Sequence, residues 1–207
     1  MDKKEKMSDE ELTWEEVSCQ HLVQDEWIDF RRSAYRFPDG SQYEPFYSYS
    51  RRDFVVIVAV DEAGKLICVR QYRQGLSQVT MEFCAGGIER FDGKGYRVGE
   101  DSKADEANRE QALEAAKREL MEETGYASEE WTHLLTEPSN ATIADNYAYL
   151  FFAKNCKRTG EQHLDDMEFL NVELVEPQEL EKLIYSGRFQ QAIHALAWFM
   201  VKDKGLL

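Results

Sequence analysis

Proline and cysteine are scarce in this chain, at 4 each in 207 residues. No proline-rich linker divides it, and its length suits one substantial core with a small N-terminal extension. The cysteines (Cys19, Cys68, Cys84, Cys156) include no C-x-x-C pair. That leaves neither a zinc nor a disulfide framework and points to reduced thiols. Basic residues are also short, 25 Lys and Arg against 40 Asp and Glu, for a net charge of −15. With no compensating basic patch, that charge excludes nucleic acid and anionic membrane as partners. It still admits a phosphate ligand, because a bound cation reverses the local field. No apolar run approaches the roughly 18 residues of a membrane span, and no signal-length run follows the N-terminus. The expectation is a cytoplasmic protein whose charged residues 1–12 are disordered. No G-x-S-x-G occurs, so serine hydrolysis has no support.

Acid is abundant, and its most informative placement is residues 118–125, R-E-L-M-E-E-T-G. Glu119, Glu122 and Glu123 fall at i, i+3 and i+4, so a helix crowds all three carboxylates on one face. Like charges so placed destabilise an isolated helix, and a positive partner is the usual justification. Converging hard oxygens suit Mg²⁺ or Mn²⁺, and a phosphate substrate supplies further ligands. A solvated acidic face is the plainer reading. Against it stand Arg118, able to orient a carboxylate by a bidentate pair, the apolar stripe of Ala116 and Leu120, and Gly125 where a helix commonly ends.

The pattern E-x7-R-E-L-x-E-E-x-G, from Glu110 through Gly125, resembles the signature of the Nudix hydrolases, which cleave nucleoside diphosphates linked to a second moiety. The stretches V-R-Q-Y-R (69–73) and E-F-C-A-G-G-I-E (82–89) resemble the ADP-ribose pyrophosphatase branch. Trp27, Tyr35 and P-D-G (38–40) resemble that branch's N-terminal strands, so residues 14–200 lie on the family pattern. Two departures stand out. Cys84 replaces the usual proline, and Gly86 and Glu110 enclose 23 residues where the family has five. The excess reads as a surface insertion near 91–109 that borders the presumed metal site.

The resemblance implies an α/β fold, the Nudix α/β/α sandwich with a mixed sheet, over 51–207, preceded by a β-strand region over 13–50. Periodicity agrees. Residues 53–60 and 65–72 read as a hairpin with a central first strand, and 79–83 as a strand entering an A-G-G turn. The signature helix spans 103–124, and further strands cover 131–135, 147–153 and 169–174. Pro177 opens one helix. A terminal helix over 189–203 carries Ile193, Leu196, Ala197 and Met200 along one side.

The resemblance also assigns roles. Glu119, Glu122 and Glu123 hold metal, joined by the Ala85 carbonyl. Arg118 keeps them in register, while Glu110 either contacts metal or supports helix geometry. The general base comes from the acidic loop 160–168, with Glu168 first and Asp166 second. Arg73 meets a phosphate and Glu82 braces it. Trp27 and Phe46 match an aromatic pair that sandwiches the nucleobase, though both also read as core or dimer residues. His163 is a candidate to assist substrate, whereas His21, His133 and His194 read as structural or exposed. The implied reaction is Mg²⁺- or Mn²⁺-dependent hydrolysis of a nucleoside diphosphate sugar, ADP-ribose foremost, in a homodimer that packs or exchanges N-terminal strands. Another nucleoside diphosphate derivative, or a non-catalytic ligand-binding domain, is the competing reading.

Overall fold

The computed structural model describes residues 6–88 and 106–207, the side chains of 106–110 excepted. Most of the 91–109 insertion and the Glu110 side chain therefore lie outside the described residues. The first described element is one helical turn, α1 (Asp9–Leu12), within the stretch 1–12 expected to be disordered, of which residues 1–5 lie outside the described residues. Ser8 and Glu11 form a reciprocal capping box, which satisfies two amides and holds that turn.

Strands β1 (Glu15–Gln24), β2 (Asp29–Arg36) and β3 (Gln42–Ser50) make an antiparallel three-stranded sheet. A turn at 37–41 joins β2 to β3, closed by the Phe37 N–H on the Ser41 carbonyl at 2.8 Å. Between β1 and β2 the Asp25 carboxylate accepts the N–H groups of Trp27 and Ile28 at 2.8 and 2.9 Å. This sheet has an aromatic cluster but little buried apolar surface.

The second sheet holds the core. It comprises β4 (Phe54–Asp61), β5 (Leu66–Arg73), β6 (Gln78–Gly87), β7 (Tyr126–Ala127), β8 (Glu130–Pro138), β9 (Tyr147–Arg158) and β10 (Leu170–Val175). Its order is β10-β5-β6-β4-β9, with β7 and β8 both on β9; only β4 and β9 run parallel among these pairs. β4 is central, as its unbroken apolar run predicts. Its alternation then sorts the layers. Val55, Ile57 and Ala59 pack with Ala112, Ala116 and Leu120 of α2 (Glu106–Thr124). Val56, Val58 and Val60 pack on the other side, with Leu180 of α3 (Pro177–Tyr185) and Trp198 of α4 (Ala192–Asp203). Burying each such aliphatic side chain stabilises by about 1.5–3 kcal/mol, which anchors the sheet between helical layers. The α/β/α sandwich with a mixed sheet and an N-terminal β extension is the observed architecture.

Two local expectations change. The A-G-G segment is no turn: β6 continues through it and pairs with β4, Gly86 opposite Val55. The α4 face is also rotated. His194, Ala197, Trp198 and Val201 are its buried positions, while Ile193, Leu196 and Met200 are only partly buried. This helix is apolar nearly all round, so periodicity could not fix its inward face.

Candidate active site

Several of the residues singled out from sequence, Ala85, Arg118, Glu119, Glu122 and Glu123 among them, meet where α2 crosses the C-terminal half of β6. Alanines at 112, 115 and 116 bring α2 close to the sheet, and its last turns present Glu119, Glu122 and Glu123 toward 85–87. The approach is tight enough to dictate a glycine. A Cβ on Gly86 would lie 1.9 Å from the Glu119 carboxyl carbon. Only glycine leaves the notch that this carboxylate fills.

Arg118 organises the ridge by bridging rather than by a bidentate pair. It donates to Glu119 at 2.7 Å, to Glu122 at 2.6 Å and to the Gly87 carbonyl at 3.2 Å. Glu123 lies deeper, 3% exposed, where it accepts the Ala85 N–H at 3.2 Å and a hydrogen bond from the Cys84 thiol. Burial disfavours the charged carboxylate, pushing Glu123 up to about 8 and Glu119, despite Arg118, up to about 7. Among the described residues no three acidic, histidine or cysteine side chains close into a metal cage. The donor set nevertheless fits a divalent cation: hard oxygens only, two of them with pKa values raised by burial, one seated in a notch that a Cβ would fill.

The cleft before this ridge has a volume of about 720 Å³, within the range of nucleotide-sized sites. Along with Ala85, Arg118, Glu119 and Glu122, its walls carry Trp27, Arg73, Asp165 and Glu168. Arg73 grips Glu82 bidentately, its Nε at 3.0 Å and Nη2 at 2.6 Å. Glu82 is fully buried and also accepts from Thr80 at 2.5 Å and Gln191 at 3.2 Å. Burial opposes its ionisation, but the Arg73 and Thr80 bonds outweigh it and hold the carboxyl below its ordinary pKa. Glu82 braces an arginine here, its carboxylate engaged by Arg73, Thr80 and Gln191.

The acidic loop is tied to the end of α2. Gly125 ends that helix at φ +74°, and a side chain there would meet the Gly160 carbonyl at 2.5 Å. Its own carbonyl accepts the Thr159 N–H at 2.9 Å. Gln162 donates to the Glu123 carbonyl at 2.7 Å, and the His163 N–H caps the Glu122 carbonyl at 2.9 Å. These bonds carry the loop over the ridge and bring Glu168 into the cleft. Its companion is Asp165, whose N–H donates to Glu168 Oε2 at 3.1 Å. Asp166 is exposed and does not line the cleft; the one-residue correction reflects a turn at 165–168 that no sequence period could phase.

The aromatic pair separates. Trp27 is 55% exposed and stands at the cleft mouth with the Arg52 guanidinium 5.7 Å from its ring centroid. Phe46 does not line the cleft. It packs instead against Trp14, Tyr35 and Tyr43, with centroids 5.4, 5.5 and 5.7 Å away. β3 alternation points it into the extension's own cluster. Sequence reasoning also missed cleft residues, among them Arg51, Arg52, Asn140, Gln191 and His194. The Arg51-Arg52 doublet before the central strand was the available signal; Asn140 and Gln191 had none.

The NUDIX domain model matches residues 50–199. The chain belongs to the Nudix family. It is a Nudix hydrolase. It is 28% identical to the ADP-ribose pyrophosphatase of Bacillus subtilis (strain 168) over 152 residues, 72% of each chain. Over 148 residues it is 30% identical to the methanol dehydrogenase activator of Bacillus methanolicus, covering 69% of this chain and 70% of that protein. A crystal structure of an ADP compounds hydrolase superposes with a TM-score of 0.73 at 20% identity, over 93% of this chain and 95% of that one. At that identity the likeness shows the fold alone, and the Nudix sandwich is the fold it shows.

Proposed function

We propose that this Nudix hydrolase splits the pyrophosphate bond of a nucleoside diphosphate sugar, ADP-ribose foremost, releasing AMP and ribose 5-phosphate. One observation carries the reading: a single cleft combines the notched carboxylate ridge, a braced arginine, loop acids and an exposed tryptophan. A phosphate meets the N–H groups of Arg73 not spent on Glu82, and the nucleobase stacks on Trp27, contributing about 1–3 kcal/mol. Glu119, Glu122 and Glu123 would hold Mg²⁺ or Mn²⁺, with Ala85 and Glu110 as further candidates; a bound ion would lower the pKa of a water and neutralise charge on phosphate oxygens. Glu168 takes the proton as a water oxygen bonds to one phosphorus and the bridging oxygen departs with the other phosphate. Arg118 keeps Glu119 and Glu122 in register throughout.

The Bacillus subtilis relative supports the ADP-ribose reading, and the exposed extension supports a homodimer. Free thiols, three of them buried, suit the reducing cytoplasm.

The test is a panel of ADP-ribose, UDP- and GDP-sugars and dinucleotides with Mg²⁺ or Mn²⁺, assayed for nucleoside monophosphate. Glu122→Gln should lose at least ~10²-fold in turnover. A wild-type chain inert toward the whole panel refutes the assignment and leaves a ligand-binding domain. Fastest turnover of another panel member moves the substrate and keeps the chemistry.

A further inference from the structure

The chemistry above leaves one buried ring without a task. His194 is 4% exposed and lines the cleft beside Gln191 and Ile193 at the start of α4. Its Nδ1 accepts the Phe83 backbone N–H at 3.1 Å. Phe83 is the last residue of β6 paired with β5, and Cys84 the first paired with β4. The amide at this crossing is thus met by a side chain.

That bond assigns the tautomer. A nitrogen that accepts from an amide carries no proton, so the ring hydrogen is on Nε2. The ring lies parallel to Phe83, 2° between planes, with Phe189 at 6.4 Å. Burial among these aromatics pushes its pKa down to about 4. His194 is therefore a neutral donor, and Nε2–H is the ring's remaining polar group for the cleft.

The neighbours indicate what it reads. Arg51, Arg52 and Arg73 are charged forks that suit phosphate. The α4 wall offers an uncharged imidazole N–H, an uncharged amide and the apolar Ile193. Neutral donors beside an apolar surface suit a sugar, with its hydroxyls and C–H faces. We propose that His194 is a substrate-binding residue whose Nε2–H donates to a hydroxyl of the sugar half, a role that rests on the nucleoside diphosphate sugar reading.

The experiment uses the full chain, ¹⁵N-labelled in EDTA so that nothing turns over, titrated with ADP-ribose and separately with AMP. The His194 ring signals should report the Nε2–H tautomer, and should move with ADP-ribose but not with AMP. No movement, or equal movement with both, overturns the proposal. In kinetics, His194→Asn offers an oxygen to the Phe83 N–H but falls short of the cleft. Its KM for ADP-ribose should rise about fivefold to tenfold, with kcat changed less than threefold. His194→Gln, which extends an amide N–H outward, should recover part of that loss. An unchanged KM in His194→Asn refutes the role. If wild type hydrolyses no panel member while ADP-ribose still moves the His194 signal selectively, the hydrolase reading fails and the sugar contact stands.

Discussion

β4 and β1 are strands of similar length with opposite burial. From Val55 to Ala59 every residue of β4 is fully buried, whereas all ten residues of β1 are exposed. One strand is fixed by apolar surface lost on both faces. The other rests on its ladder to β2 and on polar side-chain links such as Arg36 to Glu15 and His21 to Asp29. The chemistry follows that division. The carboxylate ridge, Arg73 and Glu82 stand on the rigid sheet and the helix against it, while Trp27 rides a turn of the extension. On the proposed reading, the core sets reaction geometry and the less secured part lends the nucleobase contact.

Two glycines test the division most strongly. In the core, Gly86→Ala places a Cβ inside the Glu119 carboxylate and must expel it. Turnover should fall at least ~10²-fold, as for loss of a charge-positioning group. In the extension, Gly40 has φ +83° and open space around a built Cβ. Gly40→Ala should cost about 1–2 kcal/mol of local stability through its left-handed backbone and leave kcat intact. Steady-state kinetics with thermal melts separates these outcomes. Equal kinetic damage from both would mean that the extension also sets reaction geometry.

His194 makes its own contribution to stability sensitive to acid, opposite in sign to those of Glu119 and Glu123, whose folded pKa values are raised. Its folded pKa of about 4 lies below the ordinary 6.5 or so, so between those values the unfolded chain takes up a proton that the native chain refuses. The associated stability is therefore present above pH 6.5 and lost as pH falls toward 4. From pH 7 to pH 5 the loss should be about 2 kcal/mol. Urea unfolding at the two pH values measures it, with His194→Asn as reference. The difference in stability between wild type and variant should narrow by that amount at pH 5. A constant difference would show that the ring is not buried neutral in solution.

Several of these features were readable in advance. The ridge was legible because Glu119, Glu122 and Glu123 share a helical period with the apolar Ala116 and Leu120. The β4–β5 hairpin was legible because Asp61 supplies its own turn, its carboxylate accepting from Ala63 and Lys65 at 2.9 and 2.8 Å. The misses have physical reasons. Gly86 looked like a turn residue, since a glycine required by a carboxylate 33 positions later has no local signature. Asp165 and Asp166 are adjacent and chemically identical, and only the turn at 165–168 chooses between them. His194 reads as structural or exposed from sequence because its partner is a backbone amide of a strand 111 residues away, which side-chain spacing cannot reveal. For Phe46 the resemblance to a substrate residue and the reading as a core or dimer residue stand level in sequence, because only the face of β3 that meets the other aromatics separates them.

Phe46 also provides the gentlest test of the comparison. Its ring is ringed by Trp14, Tyr35, Phe37 and Tyr43, with centroids from 5.4 to 6.1 Å. Trp14, Leu22, Val23 and Tyr43 remain exposed around the same sheet. If that surface joins two copies, Phe46→Ala loosens the interface without touching the core. Each aromatic pair lost is worth about 0.5–1.5 kcal/mol, so the dimer dissociation constant should rise about tenfold. Sedimentation or light scattering across a concentration series reads this directly. Activity at saturating substrate should persist, since no residue of the ridge or of the 160–168 loop moves. A monomeric variant with unchanged KM would make the extension an assembly device alone. A raised KM would mean that packing about Phe46 also holds Trp27 over the cleft, coupling the weakly secured sheet to recognition. A wild-type chain already monomeric at micromolar concentration would leave that sheet with no copy of itself to bind, and the homodimer reading would fall.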